Sequence, residues 1–126
     1  MIEPSVRVLV ANRPRLLREL VLSTLSEQDG IEVVGEAEDE RDVPLLVAQT
    51  QPDFLLLSME KSRKRPALCD ALLRQFPALR IIAVAPNANL GIHYWAAMEI
   101  HSRKMEASEA GLLSLMRSIL PARRAK

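Results

Sequence analysis

Three short apolar runs constrain this chain more than any other feature: "VRVLVA" at 6–11, "FLLLSM" at 54–59 and "IIAVA" at 81–85, each bounded by Pro, Asn or Asp. The first and third are rich in β-branched residues, while the middle one is rich in leucine. Uninterrupted apolar runs of this length describe strands buried on both faces, as in a parallel sheet. A fourth run, "IEVVGEA" at 31–37, alternates and reads as a strand nearer the edge.

Helical patterns separate the runs. In "NRPRLLRELVLSTLSEQDG", Leu17, Leu20, Val21 and Leu25 fall on one helix face, with Asn12 as cap, Pro14 in the first turn and Gly30 beyond the end. A second helix follows Asp42, with Pro44 tolerated in its first turn. A third begins at Pro66 and aligns Leu68, Leu72, Leu73 and Phe76. "NLGIHYWAAMEI" at 89–100 is read as the fourth helix and "EIHSRKM" at 99–105 as a fifth strand, placed by topology. The last helix, "SEAGLLSLMRSIL", is capped by Ser108 and stops before Pro121. Strands alternating with helices through short turns give an open parallel sheet covered on both faces.

The 126 residues are the size of one domain, 1–126, with its core at about 5–120 and a tail or truncated linker at 121–126. Net charge is +1, so no overall pull toward nucleic acid or membrane is expected. One cysteine, Cys69, excludes an intrachain disulfide and a paired-cysteine metal site, and reads as inert. No apolar run is long enough for a membrane span and no secretory signal opens the chain, which together predict a cytoplasmic protein.

Open parallel sheets place their ligands beyond the carboxyl ends of the strands. Those ends carry Asn12 and Arg13, then Ser58 to Glu60, then Ala85 and Pro86. The four glycines are scattered, so no phosphate-cradling loop follows the first strand. Glu60 is the only carboxylate there, and Arg13 would repel a cation, so no metal and no cofactor is expected. Ser58 lacks the flanking glycines and nearby histidine of a hydrolase. Its plainer reading, a hydroxyl bonded to neighbouring backbone, outweighs the nucleophile by roughly ten to one.

The order "VRVLVANRPRLLREL … IEVVGEAEDERDV … QPDFLLLSME … FPALRIIAVAP … SEAGLLSLMRSIL" resembles a response-regulator receiver domain, and "IEVVGEA" followed by "PDFLLL" resembles the NarL/LuxR-type subgroup. The resemblance implies a flavodoxin-like, doubly wound (βα)5 sheet of strand order 2-1-3-4-5. Receivers accept a phosphoryl group on an aspartate ending the third strand, with an acid pair after the first strand holding Mg²⁺. A Ser/Thr after the fourth strand and a Lys after the fifth contact the phosphoryl group. Carried onto this chain, Asn12 and Arg13 stand at the acid pair, Ser58 at the acceptor and Ala85 at the Ser/Thr. The lysine falls on Met105, or on Lys104 in a register shifted by one. The implied pocket is degenerate: no catalytic residue, no Mg²⁺ and no acyl phosphate.

The resemblance therefore implies a pseudo-receiver acting by protein–protein contact in two-component or transcriptional signalling. It would work with a protein partner or as a homodimer, and would touch DNA only through a C-terminal domain of a LuxR-type regulator lying beyond this chain. The alternative is a small-molecule or anion sensor using the emptied pocket, and a serine-dependent enzyme ranks last. Glu60, Lys61, Arg63, Lys64 and Arg65 form either a solvated loop or a patch for a ligand or partner. Tyr94, Trp95 and Met98, with Leu112 and Met116 on the last helix, fall on the face such domains use for dimers or effectors, though core packing explains Trp95 and Met98 equally well.

Overall fold

The computed structural model describes residues 5–59, 64–85 and 89–124, with side chains as far as Ser118. Strands β1 (Val6–Ala11), β2 (Ile31–Glu36), β3 (Phe54–Ser58), β4 (Arg80–Ala85) and β5 (Leu90–Trp95) form one sheet in the order β2-β1-β3-β4-β5. The pairs β1–β2, β1–β3 and β3–β4 are parallel. Among the described residues four helices accompany them: α1 (Arg15–Ser26), α2 (Val43–Thr50), α3 (Ala67–Gln75) and α4 (Glu109–Arg124). A short 3-10 turn, Glu40–Asp42, precedes α2.

The core follows from the alternation of side chains along strands. Leu9, Leu55 and Ile81 stand side by side across β1, β3 and β4, with Ala11, Leu57 and Ala83 one rung on. All six are buried, and Val43 and Val47 of α2 with Cys69 and Leu72 of α3 join the same cluster. On the opposite face Val8 and Val10 are also buried, as expected for a strand covered on both sides. On α1 the half-buried positions are Leu17, Val21, Leu22 and Leu25, with Arg18 buried; Leu20, expected in the stripe, is exposed.

The expected strand order is present, but its fifth member is another segment. Residues 90–95, read from sequence as helix, form β5, and β5 runs antiparallel to β4 from Ala85 opposite Leu90 to Arg80 opposite Trp95. Gly91 weakens a helix here, and Ile92, Tyr94 and Trp95 are strand-favouring types. The expected strand at 99–105 has no regular structure and is exposed, being too polar to repay burial. Tyr94, Trp95 and Met98 therefore do not share a helix: the first two lie on β5, and Met98 is 86% exposed in the connection to α4. Ser108 caps α4 as expected, its Oγ accepting from the Gly111 N–H at 3.0 Å. The helix does not stop before Pro121 but runs through it to Arg124.

Gly35 is required by packing. A Cβ built there would sit 2.9 Å from Leu9 Cδ1, beside the register shift between Val8 and Leu9 that opens the β1–β2 ladder. Leu9 is fully enclosed and cannot retreat. Gly35→Val is therefore expected to cost about 1–3 kcal/mol of unfolding free energy in urea titration, the usual range for overpacking.

Candidate functional site at the carboxyl end of the sheet

The carboxyl ends of β1 and β3 bring Asn12, Arg13 and Ser58 together. Asn12, expected to cap α1, is instead wholly buried, and its Nδ2 donates to the Leu57 carbonyl at 3.0 Å. Its Oδ1 is buried without a hydrogen-bond partner among the described residues. Pro14 takes the N-cap position of α1, after a cis Arg13–Pro14 bond, and no side chain caps that helix.

Ser58 is held by the backbone next to Asn12. The Arg13 N–H donates to Ser58 Oγ at 2.7 Å, and Ser58 Oγ donates to the Arg13 carbonyl at 2.6 Å. The hydroxyl thus both accepts and donates within one reciprocal pair that ties β3 to the end of β1. A hydroxyl whose proton is committed to a carbonyl is not activated as a nucleophile, which needs a base at that proton. His93 lies two strands and two rungs away on β5, beside Phe54 and Trp95, and His101 is exposed next to Glu99.

Carboxylates do reach this end of the sheet, from the last residue of β2 and the segment after it, and arginines meet them there. Arg13 Nη2 pairs with Glu40 Oε1 at 3.0 Å. Arg18 is 5% exposed; its Nε meets Glu36 Oε1 at 2.7 Å, its Nη2 lies 3.9 Å from Glu38, and its Nη1 reaches the Asn12 carbonyl at 3.5 Å. Asp39 pairs with Arg41 at 2.6 Å, and the hydrogen bonds from the Arg41 side chain and N–H hold its carboxyl down at about 2. Among the described residues no three His, Cys, Asp or Glu side chains gather as metal ligands. Asn12 is neutral and Glu40 is paired with Arg13, so among the described residues neither of these two offers a free carboxylate at this end.

Arg18 was not legible as part of this site. It lies within an apolar helical stretch, and its main partner is 18 residues away. The Ser58–Arg13 tie was foreseeable only as a generic serine–backbone bond. Ala85 ends β4 half-buried, one residue beyond Val84, whose carbonyl accepts from the Met59 N–H at 2.9 Å. Lys104 and Met105, proposed for the position after a fifth strand, follow no strand; they line a shallow groove against Ala110, Ser114 and Leu115 of α4. Of the basic loop, Glu60, Lys61 and Arg63 lie outside the described residues. Lys64 is exposed, and Arg65 turns onto Asp70 at the start of α3, Nε to Oδ1 at 2.6 Å. On the expected contact face Trp95 is 56% exposed, and Leu112 and Met116 are 47% and 51% exposed. No helix among the described residues is long and apolar enough to cross a membrane.

Among solved structures, the chain is similar to the signal receiver domain of the response regulator NarL from Mycobacterium tuberculosis, at 30% sequence identity and a TM-score of 0.55. The match covers 64% of this chain and 66% of that one. No protein-family model matches the chain, and no curated protein does. The strand order, the helices and this likeness together make the chain a response-regulator-like module with a receiver-type fold.

Proposed function

We propose that this domain is a pseudo-receiver: a regulatory module that does not take a phosphoryl group at the end of β3 and works through contact with other proteins. The observation that carries the reading is the reciprocal bonding of Ser58 to the Arg13 backbone. Where a receiver presents a carboxylate to phosphate, this chain presents a hydroxyl already tied off. An acyl phosphate cannot form on serine, and a phosphoserine is an ester too stable for a relay. On the family pattern Arg13 takes one place of the acid pair that would hold a divalent cation, and its partner here is Glu40.

The partner in this reading is a protein or a second copy of the domain, in two-component or transcriptional signalling. Contact with DNA would come only through a further domain. The anion-sensor alternative needs Arg13 as a receptor for negative charge, and the Arg13–Glu40 pair does not favour it.

Incubation of the protein with acetyl phosphate and Mg²⁺, followed by intact-mass measurement, is expected to give the unmodified mass. A stoichiometric phosphoryl adduct on the folded domain would overturn the proposal.

A further inference from the structure

The two faces of the sheet are unequally covered. The face holding Leu9, Leu55 and Ile81 lies under α2 and α3. On the other face α1 covers the β1 side, where Val8 and Val10 are buried. Beyond them Leu56, Ile82 and Val84 share that face on β3 and β4, and all three are only half-buried. Gly91, His93 and Trp95 of β5, opposite Val84, Ile82 and Arg80, continue it and are exposed. An apolar sheet face of this kind is stable when a helix lies on it.

Among the described residues α4 is the helix without a seat. From Glu109 to Ser118 every residue except Gly111 is exposed. Residues 103–106 form a strap along Ala110, Gly111, Ser114 and Leu115. Gly111 permits that approach, because a Cβ there would strike the Glu106 carbonyl. Leu112, Leu113 and Met116 fall on the helix side turned from the strap and are 42% to 51% exposed. Glu109, two helical turns before Met116, belongs to the same side.

We infer that α4 is a hinged cover for the bare face of its own sheet, closing over Leu56, Ile82 and Val84. The tether allows it: residues 96–108 have no regular structure. At about 3.3 Å per extended residue they can cross a sheet whose strands lie about 4.8 Å apart. The charges agree as well. Arg80 rims the bare face, over the Trp95 ring and beside His93, and no carboxylate pairs with it among the described residues. Glu109 in turn has no cation there. With Glu109 against Arg80, rises of about 1.5 Å per residue along the helix and about 3.3 Å along the strand bring Leu112 near Ile82 and Met116 near Val84. Closing hides the same Leu112 and Met116 that a protein partner would meet, so the cover regulates that surface. This last consequence rests on the contact reading above; the closure itself does not, and it stands whatever happens at Ser58.

Cross-linking with a short bismaleimide tests the closure, the native Cys69 being buried away from the reagent. His93→Cys with Leu112→Cys is expected to link within one chain, at least about tenfold faster than His93→Cys with Ser114→Cys on the strap side. Equal rates from the two sides would show a helix merely tethered, and links formed only between chains would show a cover supplied by another copy; either result overturns the inference. Trp95 is the chain's one tryptophan and reports independently. Its emission is expected to shift to the red in Leu112→Asp/Met116→Asp, which opens the cover. It should stay in place in Ala110→Asp/Ser114→Asp, which puts the same charges on the strap side. A shift in both variants, or in neither, would contradict closure.

Discussion

Leu55→Ala is expected to lower the unfolding free energy by about 3–5 kcal/mol, the range for a fully enclosed leucine truncated where neighbours cannot close the gap. Leu55 is 0% exposed and stands between Leu9 and Ile81 in the middle of the sheet. The cluster it belongs to draws on both α2 and α3, so the cavity would be walled by a sheet on one side and two helices on the other. Rigid ladders hold Leu9 and Ile81 in register, which limits collapse. Against a typical domain stability of about 5–15 kcal/mol, the loss leaves a molecule marginal at physiological temperature. Urea titration of the wild type and variant measures it directly. Leu16→Ala, at a side chain 78% exposed on α1, is the control and should shift the midpoint little. A loss at Leu55 below about 1 kcal/mol would mean that the centre of the sheet is not packed as described.

The second large effect concerns the buried arginine, and its two halves should differ. Glu36→Ala strips the 2.7 Å partner from Arg18 and leaves a guanidinium 5% exposed, with Glu38 at 3.9 Å and the Asn12 carbonyl as its remaining neighbours. Breaking a buried pair by removing one partner commonly costs about 3–5 kcal/mol. Because Glu36 is itself half-exposed and Glu38 stands by, about 2 kcal/mol is expected here. Arg18→Met removes the charge, keeps the volume and leaves Glu36 able to hydrate, so it is expected to be close to neutral. Measured side by side in urea, the glutamate variant should be the less stable of the two. The reverse order would show that Arg18 is not effectively desolvated at the foot of α1.

How far the sequence led depends on where each segment finds its partners. The strands at 6–11, 54–58 and 80–85 were legible because burial on both faces leaves an apolar run that local reading detects. Strand β5 was not, because an edge strand covered on one face mixes Gly91, His93 and Trp95 with its inward Ile92 and Tyr94. That mixture resembles a helix start as readily as a strand. A fifth strand expected from topology alone falls on the next segment, 99–105, which is too polar to be buried.

In the candidate site, the positions of Asn12, Arg13 and Ser58 were readable from strand ends. Their engagements were not. Arg13 meets a glutamate 27 residues away and Ser58 meets backbone 45 residues away, and no local pattern encodes either meeting. The burial of Asn12 was hidden for a related reason: the residue looked like a helix cap, and the side chain turned inward to the Leu57 carbonyl instead.

The central claim is that the whole carboxyl-end pocket is disarmed, and not the acceptor position alone. Restoring that one position tests it most directly. Ser58→Asp, purified and shown to be folded, would be incubated with acetyl phosphate and Mg²⁺ and its intact mass recorded. With a neutral Asn12 and an Arg13 paired to Glu40 at the positions of the family's acid pair, the variant is expected to retain its unmodified mass, as is expected of the wild type. A phosphoryl adduct on Ser58→Asp would contradict the account, because it would show the rest of the pocket still able to bind the cation and the phosphate.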